Sequence, residues 1–234
     1  MVLMRLVTDL PSIFERHRGE FASVIPFDLK SGGFTVFDFT TANHDLEHVG
    51  INDVSEFTEY LFERIVSGDL PVGIGRYNED RVLYRHSPLF DDSAERRSIH
   101  LGIDLFVTGG TPIHAPLDGV VHSFADNDRL GDYGPTIILT HELEATRFQT
   151  LYGHLSGASL DEISTGQRIR SREAFAEVGE HHENGGWPPH LHFQIVGDIG
   201  SFNGDFPGVA APSERERFLE LCPDPNLILE IPGL

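Results

Sequence analysis

The stretch "WPPHLHFQIV", residues 187–196, decides how this chain is read. Leu191, Phe193 and Ile195 alternate with His190 and His192. A period of two marks a β-strand whose two faces differ. One face is apolar. The other carries two imidazoles about 6.6 Å apart along the strand, pointing into the same space. Imidazole is both a metal ligand and a proton donor or acceptor near neutral pH.

Working outward, "IHLGIDLFV" at 99–107 shows the same alternation. Leu101, Ile103, Leu105 and Val107 form an apolar face, and His100 and Asp104 share the other with Gly102 between them. An i, i+4 pair also shares a helix face, but the alternation favours a strand. On a straight strand, four residues span about 13 Å. That is too far for two ligands held about 2 Å from one metal. The segment is therefore expected to bend, with Gly102 supplying the backbone freedom. A fourth imidazole, His154, follows a strand-like run in "LYGHLS". Two histidine nitrogens and one carboxylate make a zinc set that leaves a position open for water, as catalytic sites require. Four histidines and Asp104 exceed three ligand positions, and the surplus imidazoles are candidates for proton transfer.

These segments set the organisation of the 234 residues. From 93 to 198, short β-rich runs ("GVVHSFA", "PTIILTH", "RFQTLYGHL") alternate with turns rich in Gly, Pro, Asp and Asn, the pattern of an antiparallel sheet domain. Residues 1–92 read as a mixed α/β region. Asp9 is expected to cap a helix with Pro11 in its first turn, and "NDVSEFTEYLFERIVSGD" places Val54, Phe57, Leu61 and Ile65 at helical spacing before Gly68. In residues 199–234, Ser213 and Glu216 suggest a capping box for a short helix that packs on the rest and ends before Pro223. The fold class is α+β: a β-rich antiparallel-sheet domain with a mixed N-terminal region and a short C-terminal helix.

Composition excludes several functions. The formal net charge of -20 disfavours nucleic acid and anionic membranes as partners. Cys222 is the single cysteine, so no internal disulfide forms. "MVLMRLVTDLPSIFERHRGE" lacks a secretory core and cleavage site, and no apolar run approaches a membrane span. A cytoplasmic location is expected.

Together, "HLGIDLFVTGGTPIHAPLDGVV", "LYGHLS", "GQRIR" and "PPHLHFQI" resemble the lysostaphin-type (LytM-like) zinc metallopeptidases, the glycyl-glycine and DD-endopeptidase family, over residues 96–197. The resemblance implies a mostly antiparallel sheet with a narrow groove, Zn2+ held by His100, Asp104 and His192, and His154 and His190 as catalytic histidines that do not bind metal. It implies a zinc metalloendopeptidase acting on peptide or peptidoglycan-like substrates. The alternative is a non-catalytic zinc-bearing peptide-binding or structural module.

The approach to the last motif, "SREAFAEVGEHHENGGWPPHLH", departs from the family in length. This loop at 171–188 and "FADNDRLGDYG" at 124–134 are expected to flank the cleft. Their Asp126, Asp128, Asp132, Glu180 and Glu183 favour neutral or cationic peptides. Trp187 either stacks on substrate or anchors its loop. His181 and His182 read as solvated, His114 and His122 as non-functional, and His141 as a cleft neighbour without an assigned role. His17, His44, His48 and His86 read as structural or solvated, so residues 1–92 are expected to supply no ligand. "VGIGRYNEDRVLYRHSPLF" and "GDFPGVAAPSERERFLELCPDPNLIL" resemble the surroundings of peptidase-like modules set between phosphotransferase-like and aminotransferase-like domains of larger bacterial proteins, so further domains are possible partners.

Overall fold

The computed structural model describes residues 9–86, 88–92 and 95–234. The stretch 1–8 and the side chain of His86 lie outside the described residues. Among the described residues the α-helices are α1 (Leu10–Arg16), α2 (Val54–Ser67), α3 (Arg215–Leu221) and α4 (Asn226–Leu229). One eight-stranded sheet forms the frame. Its strands are β1 (Phe34–Phe37), β2 (Val72–Gly75), β3 (Ile103–Phe106), β4 (Gly119–Asn127), β5 (Gly134–Leu143), β6 (Thr146–Gly153), β7 (Arg168–Ile169) and β8 (His190–Val196). The order across the sheet is β1-β2-β3-β8-β6-β5-β4-β7. All neighbours are antiparallel except β1 and β2. Among the described residues no helix is long and apolar enough to cross a membrane.

The alternation in β8 works as the sequence suggests. Leu191, Phe193 and Ile195 are fully buried in the main core with Leu105, Ile137, Leu139 and Tyr152. Each such side chain contributes about 1.5–3 kcal/mol from burial. That face pins the register, because a one-residue slip would turn the histidines into the core. β8 lies between β3 and β6, so His192 stands opposite both Asp104 and Gly153.

"IHLGIDLFV" is two short strands rather than one. Ile99–His100 pairs with Val209–Ala210 in a separate ladder, and β3 resumes at Ile103. The chain bends at 101–102 as expected, but for a different reason. Gly102 has no positive φ. A Cβ there would lie 2.5 Å from Cε1 of His192. The glycine makes room for the imidazole rather than supplying an unusual backbone angle.

The N-terminal region joins the same sheet. β1 and β2 extend it beyond β3, and α2 covers them. Asp53 caps α2, accepting from the N–H of Ser55 at 2.9 Å and of Glu56 at 3.3 Å. Phe57, Tyr60, Leu61 and Ile65 then enter a second core with Phe37, Phe39, Tyr84, Phe90 and Phe106. Asp9 caps α1 through the N–H of Ser12 at 3.3 Å. The expected capping box at Ser213 does not form. A short 3-10 turn, Pro212–Glu214, precedes α3, whose cap Glu214 makes no side-chain capping bond, and the Ser213 N–H instead donates to Glu95. α3 ends at Leu221, before Pro223.

Candidate metal centre and active site

Four buried imidazoles and one carboxylate meet at the cleft face of β3 and β8. His100, Asp104 and His192 form the cluster. His100 Nε2 lies 3.0 Å from His192 Nδ1 and 3.2 Å from Asp104 Oδ1, and His192 Nδ1 lies 3.1 Å from the same oxygen. His190 is set further out, with Nε2 3.9 Å from Asp104 Oδ1. Its ring stacks on Phe106 at 4.9 Å and faces His154 at 4.2 Å. His154 closes β6 in a left-handed conformation, φ +62°. Such backbone strain in a non-glycine residue persists where surrounding structure enforces it. Here the His154 N–H donates to Tyr133 O at 2.8 Å and Nδ1 to Asn184 O at 2.8 Å.

The outer nitrogen of each ring fixes its tautomer. A carbonyl oxygen only accepts, so a ring nitrogen facing one carries the proton. His100 Nδ1 donates to Arg76 O at 2.9 Å, His190 Nδ1 to Pro188 O at 2.6 Å, and His154 Nδ1 to Asn184 O. His192 Nε2 donates to Gln194 Oε1 at 2.9 Å. That amide is oriented by its own NH2, which donates to Pro207 O at 3.1 Å. With the outer nitrogen carrying the proton, the inner nitrogen of a neutral ring is left with its lone pair. At the cluster, the inner nitrogens of His100 and His192 converge with a carboxylate oxygen. Such a set repels itself unless a cation lies among them. In a tetrahedral zinc site with bonds of about 2.0–2.1 Å, neighbouring ligand atoms are about 3.3–3.4 Å apart. The three separations here are within a few tenths of an ångström of that, so the residues fit the ion.

Electrostatics agree with neutral imidazoles. Burial, then the Arg81 charge, pushes His100 down to about 3. Burial, then neighbouring His190, holds His154 well below its usual value. Burial lowers His190 against a partial opposing pull from Asp104. Burial would raise the Asp104 carboxyl, but His100, Arg81 and polar contacts with His100 and His192 outweigh it and hold it well below the usual range.

The cleft over these groups has a volume of about 390 Å³. The 124–134 segment lines it through Asp126, Asp128, Asp132 and Tyr133, as expected. Of the 171–188 loop, Trp187 and Pro188 reach the cleft, Trp187 packing edge-on to Tyr84 and to His154 at 6.2 and 6.3 Å. The Trp187 backbone is held by Asn184. Glu180 and Glu183 are not among the lining residues: Glu180 packs over Gly109, and Glu183 accepts from the N–H of Gly157 at 2.7 Å. His181 and His182 are exposed. His141 is not a cleft residue but is buried behind the sheet, between Asp118 O and the Thr150 hydroxyl. His114 and His122 are half-buried and away from the cluster, and His17, His44 and His48 do not join it.

Sequence reasoning missed two further walls, Leu83, Tyr84, Leu89 and Phe90 on one side and Phe202 with Asp205–Val209 on another. It also missed Arg81, Gln194 and Tyr133. Gln194 alone carried a signal, since it follows His192 at the same-face spacing of two.

A chain that gathers a His/Asp/His cluster and two free imidazoles in one cleft has the makings of a metallohydrolase. Residues 98–203 match the model of Peptidase family M23. It is 34% identical over 126 residues to an uncharacterized metalloprotease of Haemophilus influenzae, a match covering 51% of this chain and 24% of that protein. The chain thus spans about a quarter of that relative's length. The catalytic domain of lysostaphin from Staphylococcus simulans matches at 25% identity and a TM-score of 0.36, covering 50% of this chain and 77% of the other. A zinc containing peptidase from Vibrio cholerae matches at 24% identity and a TM-score of 0.34, covering 47% and 31%.

Proposed function

We propose that the chain is a zinc-dependent peptidase that hydrolyses amide bonds within peptides, with peptidoglycan-type peptides as the first substrate class to test. The observation that carries this is the convergence of His100 Nε2, His192 Nδ1 and Asp104 Oδ1 within 3.2 Å of one another beside two further neutral imidazoles. His100, Asp104 and His192 would hold the ion. A zinc there supplies Lewis acidity, polarising the scissile carbonyl and lowering the pKa of a water.

The remaining work falls to the chain. His154 and His190 face each other with unprotonated Nε2 atoms, so either can accept the proton of the attacking water. Once protonated, that imidazole becomes a donor, able to hydrogen-bond the developing oxyanion and then to protonate the leaving amine. Their Nδ1–H bonds to Pro188 O and Asn184 O hold the rings in place through this cycle. Cys222 is fully buried and its thiol is pushed up to about 12 by burial, which leaves it unsuited to nucleophilic attack.

The test is elemental analysis after dialysis, followed by a cleavage screen on peptides and muropeptides with and without chelator. We expect about one zinc per chain and cleavage that stops on chelation and returns with zinc. A zinc-loaded protein that cleaves nothing in the screen would favour the binding-module reading.

A further inference from the structure

We propose that Arg81 is a positioning residue for the metal centre: it withholds Oδ2 of Asp104 so that the carboxylate offers the ion a single oxygen. The inference rests on the reading of His100, Asp104 and His192 as the ligands. Arg81 precedes the 82–90 segment, outside the residues that match the family model, and is 2% exposed. Its Nη1 donates to Asp104 Oδ2 at 2.5 Å, while Asp104 Oδ1 faces His100 and His192. The carboxylate is thus divided, one oxygen to the guanidinium and one to the cluster.

The guanidinium is itself locked. Nε donates to Glu79 Oε2 at 3.0 Å, Nη1 also to the Tyr84 hydroxyl at 3.2 Å, and Nη2 to Arg76 O at 3.1 Å. Glu79 is held in turn by the Phe39 N–H at 3.1 Å. The backbone makes room for this arrangement. Gly75 stands opposite Asp104, and a Cβ there would lie 2.7 Å from Arg81 Nη2 and 3.2 Å from Asp104 Oδ2. A buried arginine with all three nitrogens engaged does not swing aside, and its charge competes with the ion for Oδ2.

The consequence is coordination number. A carboxylate free to turn can give a metal both oxygens. One that is clamped gives one, so that three protein ligand atoms leave positions for water and substrate. Partners of this outer kind commonly alter affinity or turnover about 10- to 100-fold when removed.

Cobalt(II) in place of zinc makes coordination visible, because four-coordinate cobalt absorbs much more strongly in the visible than five- or six-coordinate cobalt. The wild-type protein, saturated with cobalt, should show the intense bands. Arg81→Met, also saturated, should lose intensity as Oδ2 joins the ion. Its zinc affinity, read by chelator competition, should be no weaker than wild type, because a donor is gained and a repelling charge removed. Its turnover should fall about 10- to 100-fold. If Arg81 only supported the fold, metal affinity would fall with thermal stability and the saturated spectrum would stay as in wild type; an unchanged spectrum overturns the proposal. Weak bands in the wild type overturn it without any variant, so the test survives even if Arg81→Met fails to fold. His192→Ala separates the two readings. Equal cobalt uptake by wild type and His192→Ala would mean that the ligand assignment itself is wrong.

Discussion

The two histidines of the motif differ in what their inner nitrogens meet. His192 Nδ1 is 3.1 Å from Asp104 Oδ1 and 3.0 Å from His100 Nε2, whereas His190 Nε2 stands 3.9 Å from that oxygen and faces His154. His192→Ala should therefore empty the site of zinc after dialysis. His190→Ala should keep about one zinc per chain and lose turnover about 10²- to 10⁴-fold. Elemental analysis beside the cleavage rate checks both, and the opposite pattern would exchange the two roles. His141 gives a separate residue-scale prediction, about stability rather than chemistry. Burial pushes it down to about 4 from its ordinary 6.5. The fold holds it neutral while the unfolded chain protonates it, so stability falls with pH from about 6.5 and the loss is complete below about 4. A shift of that size corresponds to about 3 kcal/mol. His141→Gln should flatten the pH dependence of the urea midpoint in this window, and an equal slope in the variant would remove His141 as its source.

At the scale of elements, α2 connects a cap to the cleft. Asp53 holds its first turn, and Phe57, one turn further on, lines the cleft from behind. Asp53→Ala should cost about 1 kcal/mol, read as a lower denaturation midpoint, with zinc binding unaltered because α2 touches no ligand. The strands and α2 are legible because each is carried by local spacing, whereas the choice of His100, Asp104 and His192 as one set comes from the resemblance of their motifs to a known family. Leu191, Phe193 and Ile195 announce β8, and Val54, Phe57, Leu61 and Ile65 announce α2. What escaped depends on pairings distant in sequence. Nothing local tells that β1 and β2 extend the sheet beside β3, that Arg81 reaches Asp104 across 23 positions, or that residues 202–209 wall the cleft. Ser213 and Glu216 matched a capping pattern, yet the 3-10 turn at Pro212–Glu214 displaced the helix start and took Ser213 out of the cap. The position of Glu180 and Glu183 in their loop suggests cleft charges, but they turn to Gly109 and Gly157 instead.

The whole molecule carries a net charge of -20, and part of it gathers at the cleft. Asp126, Asp128, Asp132 and Asp205 all line the cleft. The carboxyl of Asp126 is raised by burial and then by Asp128 and Glu183, and that of Asp132 by burial with Asp205 adding repulsion. Crowded carboxylates of this kind are relieved by an arriving cation, while an anionic peptide meets both this local charge and the field of the whole chain. Among peptides matched in length and in the residues around the cleaved bond, those with Lys or Arg should show a lower KM than those with Asp or Glu, with kcat little changed. The preference belongs to the field rather than to the reacting groups, so it should shrink as ionic strength rises towards 1 M, where the screening length falls to about 3 Å. Asp126→Asn with Asp128→Asn removes two exposed charges, and surface charges of this kind act weakly. The pair should raise KM for a cationic peptide about two- to fivefold, leave KM for a neutral one unchanged, and leave zinc content at the wild-type value. Equal KM values for cationic and anionic peptides at low salt would mean that the acidic mouth does not select substrate and that selection rests on the apolar walls around Tyr84, Phe90 and Trp187.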